Sequence, residues 1–194
     1  MRLSLMVSDF RHSARAFRNV RSLCFISLLT ALQIILGALT IQIGQSIQIT
    51  FDYLPLSAVA LFFGPVPAML SGALADLLSF LIRPTGAFNP GFTISAALGG
   101  LIYSLFFYNR SFSRPWMLPL YAALSRLLVV AVCNICLNSL WLLWMYGEGA
   151  WAWIPGRVIK NIIEYPVSVI LMIAIQDVLR RVGRILRITP TYLR

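Results

Sequence analysis

Two apolar arms, joined by a turn that no helix can traverse, constrain this chain more than anything else in it. Residues 63–108 read FGPVPAMLSGALADLLSFLIRPTGAFNPGFTISAALGGLIYSLFFY. Gly64-Pro65 ends one helix and starts the next, because proline lacks the donor that an interior turn needs yet fits the first turn. Arg83-Pro84-Thr85-Gly86-Ala87-Phe88-Asn89-Pro90-Gly91 then places two prolines and two glycines together, which stops both arms. Each arm carries small residues four apart: Ser71, Ala75 and Ser79 in one, Gly91, Ser95 and Gly99 in the other. In lipid, side-chain hydrophobicity gives helices no reason to associate, and small residues let their backbones approach closely. The expectation is a preformed helical hairpin whose arms meet along these ridges, with the rest of the chain packed around it.

A hairpin of this kind belongs in a bilayer only if the remaining sequence agrees, and here composition decides. Of 194 residues 59% are hydrophobic and 11% charged, with a mean hydropathy of +0.83. A soluble domain is about a quarter charged, so this chain lacks the polar surface to face water. At about 20 apolar residues per crossing, its length allows five to six spans in one bundle and no second domain. The net charge of +10 raises the question of nucleic acid. Twelve of the sixteen basic residues, however, cluster in three places: Arg2, Arg11, Arg15, Arg18 and Arg21; Arg110 and Arg114; and Arg180, Arg181, Arg184, Arg187 and Arg194. That is how a membrane protein keeps positive charge on its cytoplasmic side, so no nucleic-acid partner is expected.

In chain order, residues 1–19 form a basic amphipathic lead-in, with Phe10, Ala14 and Phe17 on one face and Arg11, Arg15 and Arg18 on another. It is expected to lie on the cytoplasmic membrane surface and to contribute little beyond orientation. It has no small-residue cleavage site, so it is not read as a removable signal. The first crossing covers residues 20–44. Residues 42–53, QIGQSIQITFDY, carry Gln42, Gln45 and Gln48 in an alternating segment that reads as an external loop over the bundle mouth. A shorter span follows at 53–63, then the two arms, a polar link at 109–115, a long fifth span at 116–146, and a sixth at 151–182. The fold class is therefore an all-α integral membrane bundle of six spans over residues 20–182, with both termini cytoplasmic and a basic tail at 183–194.

Charged residues at membrane depth are expensive and mark function by default. They are Asp76, Arg126, Arg157, Lys160 and Glu164, with Asp52 near an entrance. Arg157, Lys160, Asn161 and Glu164 share one face of the sixth helix. Either Arg157 or Lys160 pairs with Glu164 within the helix, or the group forms a cationic, amide-bearing wall for an anionic solute. Asn134, Asn138 and Trp141 share a face of the fifth helix. They serve either helix–helix hydrogen bonding or a pocket in which amides read ring edges and the indole stacks on a flat ligand. Trp144, Trp151 and Trp153 read as interfacial belt residues. Cys133-Asn134-Ile135-Cys136 spells CxxC, but no second pair completes a zinc site, and all three cysteines read as small buried helix residues. The sole histidine, His12, sits in the lead-in, and there is no HExxH, Ser/His pairing or metal cluster. No catalytic residue, metal or bound cofactor is expected. Without GxxxxGK[ST], any ATP that drives transport must be hydrolysed by another polypeptide.

Several of these segments, in this order and spacing, resemble a known family over residues 27–177. They are Phe63-Gly64-Pro65, Gly72-Ala73-Leu74-Ala75-Asp76, the turn from Arg83 through Thr93, Gly100-Leu101-Ile102-Tyr103, Asn138-Ser139-Leu140-Trp141-Leu142, Tyr146-Gly147 and Arg157 through Pro166. The chain is similar to the substrate-binding S component of energy-coupling factor (ECF) vitamin transporters, folate family. The resemblance implies a six-helix S-component fold in the bacterial plasma membrane that binds a vitamin from outside with high affinity. It also implies partners: a transmembrane T component and two ATPase subunits. The family's AxxxA docking patch on the first helix is matched here by Ser27-Leu28-Leu29-Thr30-Ala31. The candidate substrate-binding set is Gln45, Gln48 and Tyr53; Arg83, Phe88 and Asn89; Asn134, Asn138 and Trp141; and Arg157, Lys160 and Asn161. Two positions depart from folate-type members, which tend to carry an arginine where Ala38 stands and a small residue where Asp52 stands. Both changes disfavour an anionic tail, so cobalamin or its precursor competes with folate, while Arg157 and Lys160 offer compensation. A stand-alone permease would be favoured by inverted repeats, and the chain halves show no convincing one.

Overall fold

The computed structural model describes residues 9–39, 41–43, 47–84, 88–110, 116–147 and 154–185. Residues 9–14 are helical and run into a tight 3-10 turn at Arg15–Arg18. Helix α1 is Val20–Ala38, strands β1 and β2 are Ile41–Ile43 and Ile47–Ile49, and α2 is Tyr53–Phe63. Helices α3 and α4 are Pro65–Ile82 and Pro90–Phe107. Helix α5 spans Met117–Tyr146, π-helical at Val129–Leu137 and α-helical on either side. Helix α6 is Ile154–Ile185. Five of these, α1 and α3–α6, are long and apolar enough to cross a membrane, and α2 is a shorter apolar helix.

The first crossing ends at Ala38, not at residue 44. The Ile-x-Ile alternation that follows pairs instead as an antiparallel ladder, with Ile41 opposite Ile49, Gln42 opposite Gln48 and Ile43 opposite Ile47. Pairing satisfies backbone groups that an open loop beside lipid would leave bare. The bundle is thus not purely helical, and β2 reaches across to contact α6.

Helix α2 is the centre of the molecule. Every residue from Tyr53 to Phe63 except Phe62 is buried, as expected of a helix that is apolar on all sides. It packs against α1, α3, α4 and α6, so it is shielded from lipid by its neighbours. The outer surface carries the exposed apolar side chains Leu28, Leu74, Leu81, Ile162 and Ile170.

The hairpin of α3 and α4 is present and forms the most extensive helix pairing in the bundle. Its seam, however, lies one position away from the expected ridges. A Cβ on Gly72 would fall 2.5 Å from the Ala96 carbonyl oxygen, and one on Gly100 would fall 2.6 Å from the Ala68 carbonyl carbon. Ser71 instead faces α1, where its Oγ accepts from Thr30 Oγ1 at 3.0 Å. Gly91 and Gly99 face α5, against Trp141 and Val129. One residue is about 100° of helix rotation, so a register shift by one moves a ridge to a different neighbour. Cys133 is buried, but Cys24 and Cys136 are exposed, contrary to the expectation for all three.

The lead-in does more than orient the chain. Ser13 is buried at 1% exposure, and its Oγ accepts the Val66 N–H at 3.4 Å, at the start of α3. His12 Nδ1 lies 3.3 Å from the Tyr108 hydroxyl. Asn109 Nδ2 donates to Asp9 Oδ1 at 3.2 Å. Gly64, at φ +85°, sits so close to the Tyr108 ring and the Ser13 Cβ that no side chain fits there. Residues 9–18 therefore clasp the α2–α3 turn to the end of α4.

Candidate binding site

Opposite the clasp is the end of the bundle that carries the β-hairpin, and the polar residues expected to bind a solute converge toward it. Helix α4 begins there because Asn89 caps it: its Oδ1 accepts the Gly91 N–H at 2.8 Å, and Pro90 occupies the first turn. The cap uses only the oxygen. Asn89 is 5% exposed, and its Nδ2 has no hydrogen-bond partner among the described residues. Trp141 of α5 lies across the start of α4, with its indole where a Gly91 side chain would be. Its Nε1–H donates to Ser95 Oγ at 3.1 Å, and that hydroxyl donates to the Gly91 carbonyl at 3.1 Å. One turn before Trp141, Asn138 Oδ1 and Ser139 Oγ are also buried and unpartnered among the described residues. A buried polar atom left without a partner costs about 1–3 kcal/mol, so Asn89 Nδ2 at the start of α4 and Asn138 Oδ1, one turn before Trp141 on α5, make this end of the bundle a candidate binding site.

The wall facing α5 is α6. Asn134, within the π-helical stretch, donates its Nδ2–H to Asn161 Oδ1 at 3.2 Å, while Asn161 Nδ2 donates to the Arg157 carbonyl at 2.8 Å. A π segment inside an α-helix re-aims the side chains beyond it, here Asn138 and Trp141. Arg157 and Lys160 are half-buried and make no ion pair among the described residues.

Below this lies a polar hub. Arg126 of α5 donates from Nε to Ser168 Oγ at 3.0 Å, from Nη1 to the Tyr103 hydroxyl at 3.1 Å and from Nη2 to Glu164 Oε1 at 3.0 Å. Its guanidinium stands 4.0 Å from the centroid of the Tyr53 ring, close enough for a cation–π contact. Both members of the ion pair have side chains 5% exposed. Of the two readings of α6, the one that pairs Glu164 with Arg157 or Lys160 inside the helix is therefore not what forms. Its partner comes from another helix, because the inward face of α6 meets α5 while intrahelical pairs lie along the surface.

Of the other expected site residues, Tyr53 is in the hub and not at a loop entrance. Arg83 is exposed and donates to the Ala38 carbonyl at 3.1 Å, which puts a cation beside the position where the resemblance led one to expect an arginine. Phe88 is exposed, with its ring 5.2 Å from that of Phe80. The side chain of Gln48 and the whole of Gln45 lie outside the described residues, as do Trp151 and Trp153. Tyr103, Ser95 and Ser168 were not among the expected site residues, and Arg126 was expected only as a charge at membrane depth. A lone arginine in one apolar span and a lone glutamate in the next were the signal, since neither survives unpaired at that depth. Asp76 accepts from Thr93 Oγ1 at 2.7 Å, away from the hub. Among the described residues no group of three His, Cys, Asp or Glu side chains could hold a metal ion.

A multi-helix membrane bundle with a polar site near one end is the architecture of a solute-binding membrane subunit. The chain belongs to the family of ECF transporter substrate-specific components, whose family model matches residues 21–176. It is a transporter component and not an enzyme. The folate transporter FolT of Leuconostoc mesenteroides subsp. mesenteroides is 34% identical over 156 residues, covering 78% of this chain and 82% of that protein. The folate transporter FolT of Clostridium novyi is 31% identical over 156 residues, covering 80% and 87%. A crystal structure of FolT bound with folic acid superposes with a TM-score of 0.68 at 31% identity, covering 79% of this chain and 91% of that one.

Proposed function

We propose that this chain captures folate with high affinity at the outer face of a bacterial plasma membrane and hands it inward when docked on a T component and two ATPase subunits, which hydrolyse the ATP. The observation that carries this function is the shared fold with a FolT that holds folic acid, at 31% identity over 79% of the chain. The site's chemistry supports it. Asn89 Nδ2 and Asn138 Oδ1 offer a donor and an acceptor at the Trp141 end of the bundle, which suits a flat heterocycle with amide-like edges. Arg157 and Lys160, which make no ion pair among the described residues, offer cations to a glutamate tail. With α2 counted as the sixth span, both termini are cytoplasmic and the site opens outward, an arrangement supported by the clustering of arginine at the clasp end and in the tail. Ser27 and Ala31 are exposed on α1 and leave a flat strip for the T component.

Calorimetric titration of the detergent-purified protein tests the assignment. Folic acid should bind with sub-micromolar affinity and cyanocobalamin should not compete; the reverse preference would overturn it. Arg157→Ala should weaken folic acid about tenfold if a desolvated charged hydrogen bond is lost. Uptake by cells lacking the ATPase subunits would refute the need for partners.

A further inference from the structure

The lead-in has an outer face that the rest of the molecule does not use. Its inner side is taken by the protein: Ser13 is buried, and Ala16 and Phe17 pack on the hydrophobic core. Phe17 therefore does not enter lipid, as it would in a helix anchored to a membrane by its apolar face. Arg11, Arg15 and Arg18 are all exposed. Residues 15–18 form a 3-10 turn, in which side chains three apart eclipse, so Arg15 and Arg18 stand in line about 6 Å apart along the axis. Asn19 is extended, and α1 then begins with Val20 and Arg21, both exposed. None of these four guanidiniums makes an ion pair or a hydrogen bond among the described residues. The carboxylates toward this end are engaged elsewhere: Asp9 accepts from Asn109 at 3.2 Å, and Asp177 pairs with Arg181 at 2.7 Å. Other cations there are engaged too. Arg110 lies 5.7 Å from the Tyr121 ring centroid and donates to the Leu105 carbonyl, His12 meets the Tyr108 hydroxyl, and Arg180 is half-buried. Asp9 is two residues from Arg11, so the uncompensated set is Arg15, Arg18 and Arg21.

We infer that Arg15, Arg18 and Arg21 form a binding surface for the phosphate of an anionic phospholipid. Depth selects the occupant. Val20 is 74% and Leu23 43% exposed, and both stand at the start of the first membrane span. The lipid-facing surface thus begins within one turn of the arginines. A phosphate held there has its acyl chains beside Val20 and Leu23, whereas a soluble anion has nothing to set against them. Guanidinium forks match phosphate oxygens in pairs, so a row of them suits one headgroup or two neighbouring ones. The same segment grips the α2–α3 turn through Ser13, so a lipid bound to its outer face holds the clasp on the bundle. This surface is independent of the solute captured at the opposite end.

Native mass spectrometry of the full chain in detergent, with phosphatidylglycerol or phosphatidylcholine of matched acyl chains, reads the binding. Phosphatidylglycerol should be retained over phosphatidylcholine; equal retention overturns the inference. One arginine near an anionic surface is worth about fivefold in binding, so Arg18→Gln should weaken phosphatidylglycerol about fivefold and Arg15→Gln/Arg18→Gln/Arg21→Gln about a hundredfold. Arg18→Gln alone carries the test should the triple variant fail to accumulate. Arg15→Lys/Arg18→Lys/Arg21→Lys keeps the charge and should retain the lipid; a loss equal to that of the glutamine variant would trace the effect to packing and overturn the inference. Arg181→Gln removes a charge at the same end, already paired with Asp177, and should leave retention unchanged. A loss there as large as in Arg18→Gln would show diffuse charge and not this surface. Millimolar inorganic phosphate should not displace the lipid; displacement would reveal a site for a free anion. Lipid retention unchanged in the triple variant, with co-purification of the ATPase subunits lost, would make the surface a protein interface and overturn the lipid as its occupant.

Discussion

Two adjacent glycines in α4 offer a direct test of how the hairpin is held together. Gly100 packs on the backbone of α3: a Cβ there would lie 2.6 Å from the Ala68 carbonyl carbon and closer still to its oxygen. Ordinary carbon–carbon contact is about 3.5–4.0 Å, so Gly100→Ala requires the helices to part by about 1 Å. Ala68 is fully buried, and the atoms that Gly100 meets are backbone, which cannot rotate away. Overpacking of this kind costs about 1–3 kcal/mol, offset by about 1 kcal/mol from replacing a helical glycine by alanine. At Gly99 the nearest atom to a new Cβ is Val129 Cγ1 at 3.9 Å, an ordinary contact. Gly99→Ala therefore keeps the propensity gain with no penalty. The two variants, one residue apart, should differ by about 2 kcal/mol in opposite directions around the unmodified protein. At about 2–4 °C per kcal/mol for a chain of this size, their melting temperatures should separate by about 4–8 °C. Melting in one detergent, followed by tryptophan fluorescence, measures the gap. Equal melting temperatures, or Gly99→Ala below Gly100→Ala, would refute the α3–α4 seam.

Two further outcomes are expected. Removing residues 1–18 deletes the contacts of Ser13, His12 and Asp9 with Val66, Tyr108 and Asn109. At about 1 kcal/mol for each hydrogen bond, melting should fall by several degrees while folic acid affinity at the far end holds; unchanged melting would show that the clasp bears no load. Ser27→Trp with Ala31→Trp should reduce co-purification with the T component and leave folic acid titration unaltered, since both residues face outward on α1; intact assembly would remove that face from docking.

Membrane residence, the hairpin and its two turns were legible in the residues alone. The physical cause is local: 11% charge cannot cover a water-facing surface, Gly64-Pro65 and Asn89-Pro90 fix helix ends through backbone chemistry, and mean hydropathy needs no partner to be read. What faces what is not legible in that way. Ser71 and Ser95 carry equal small-residue signals, yet one meets α1 and the other α5, because a ridge one position away points about 100° elsewhere. Glu164 had candidate partners on its own helix and found Arg126 on another, a choice made by which face of α6 packs inward. The π-helical stretch of α5 and the clasp of residues 9–18 on the Gly64 turn likewise exist only once distant segments are in contact. Sequence decided which residues must leave water and where each helix stops; the tertiary structure alone decided which of them meet.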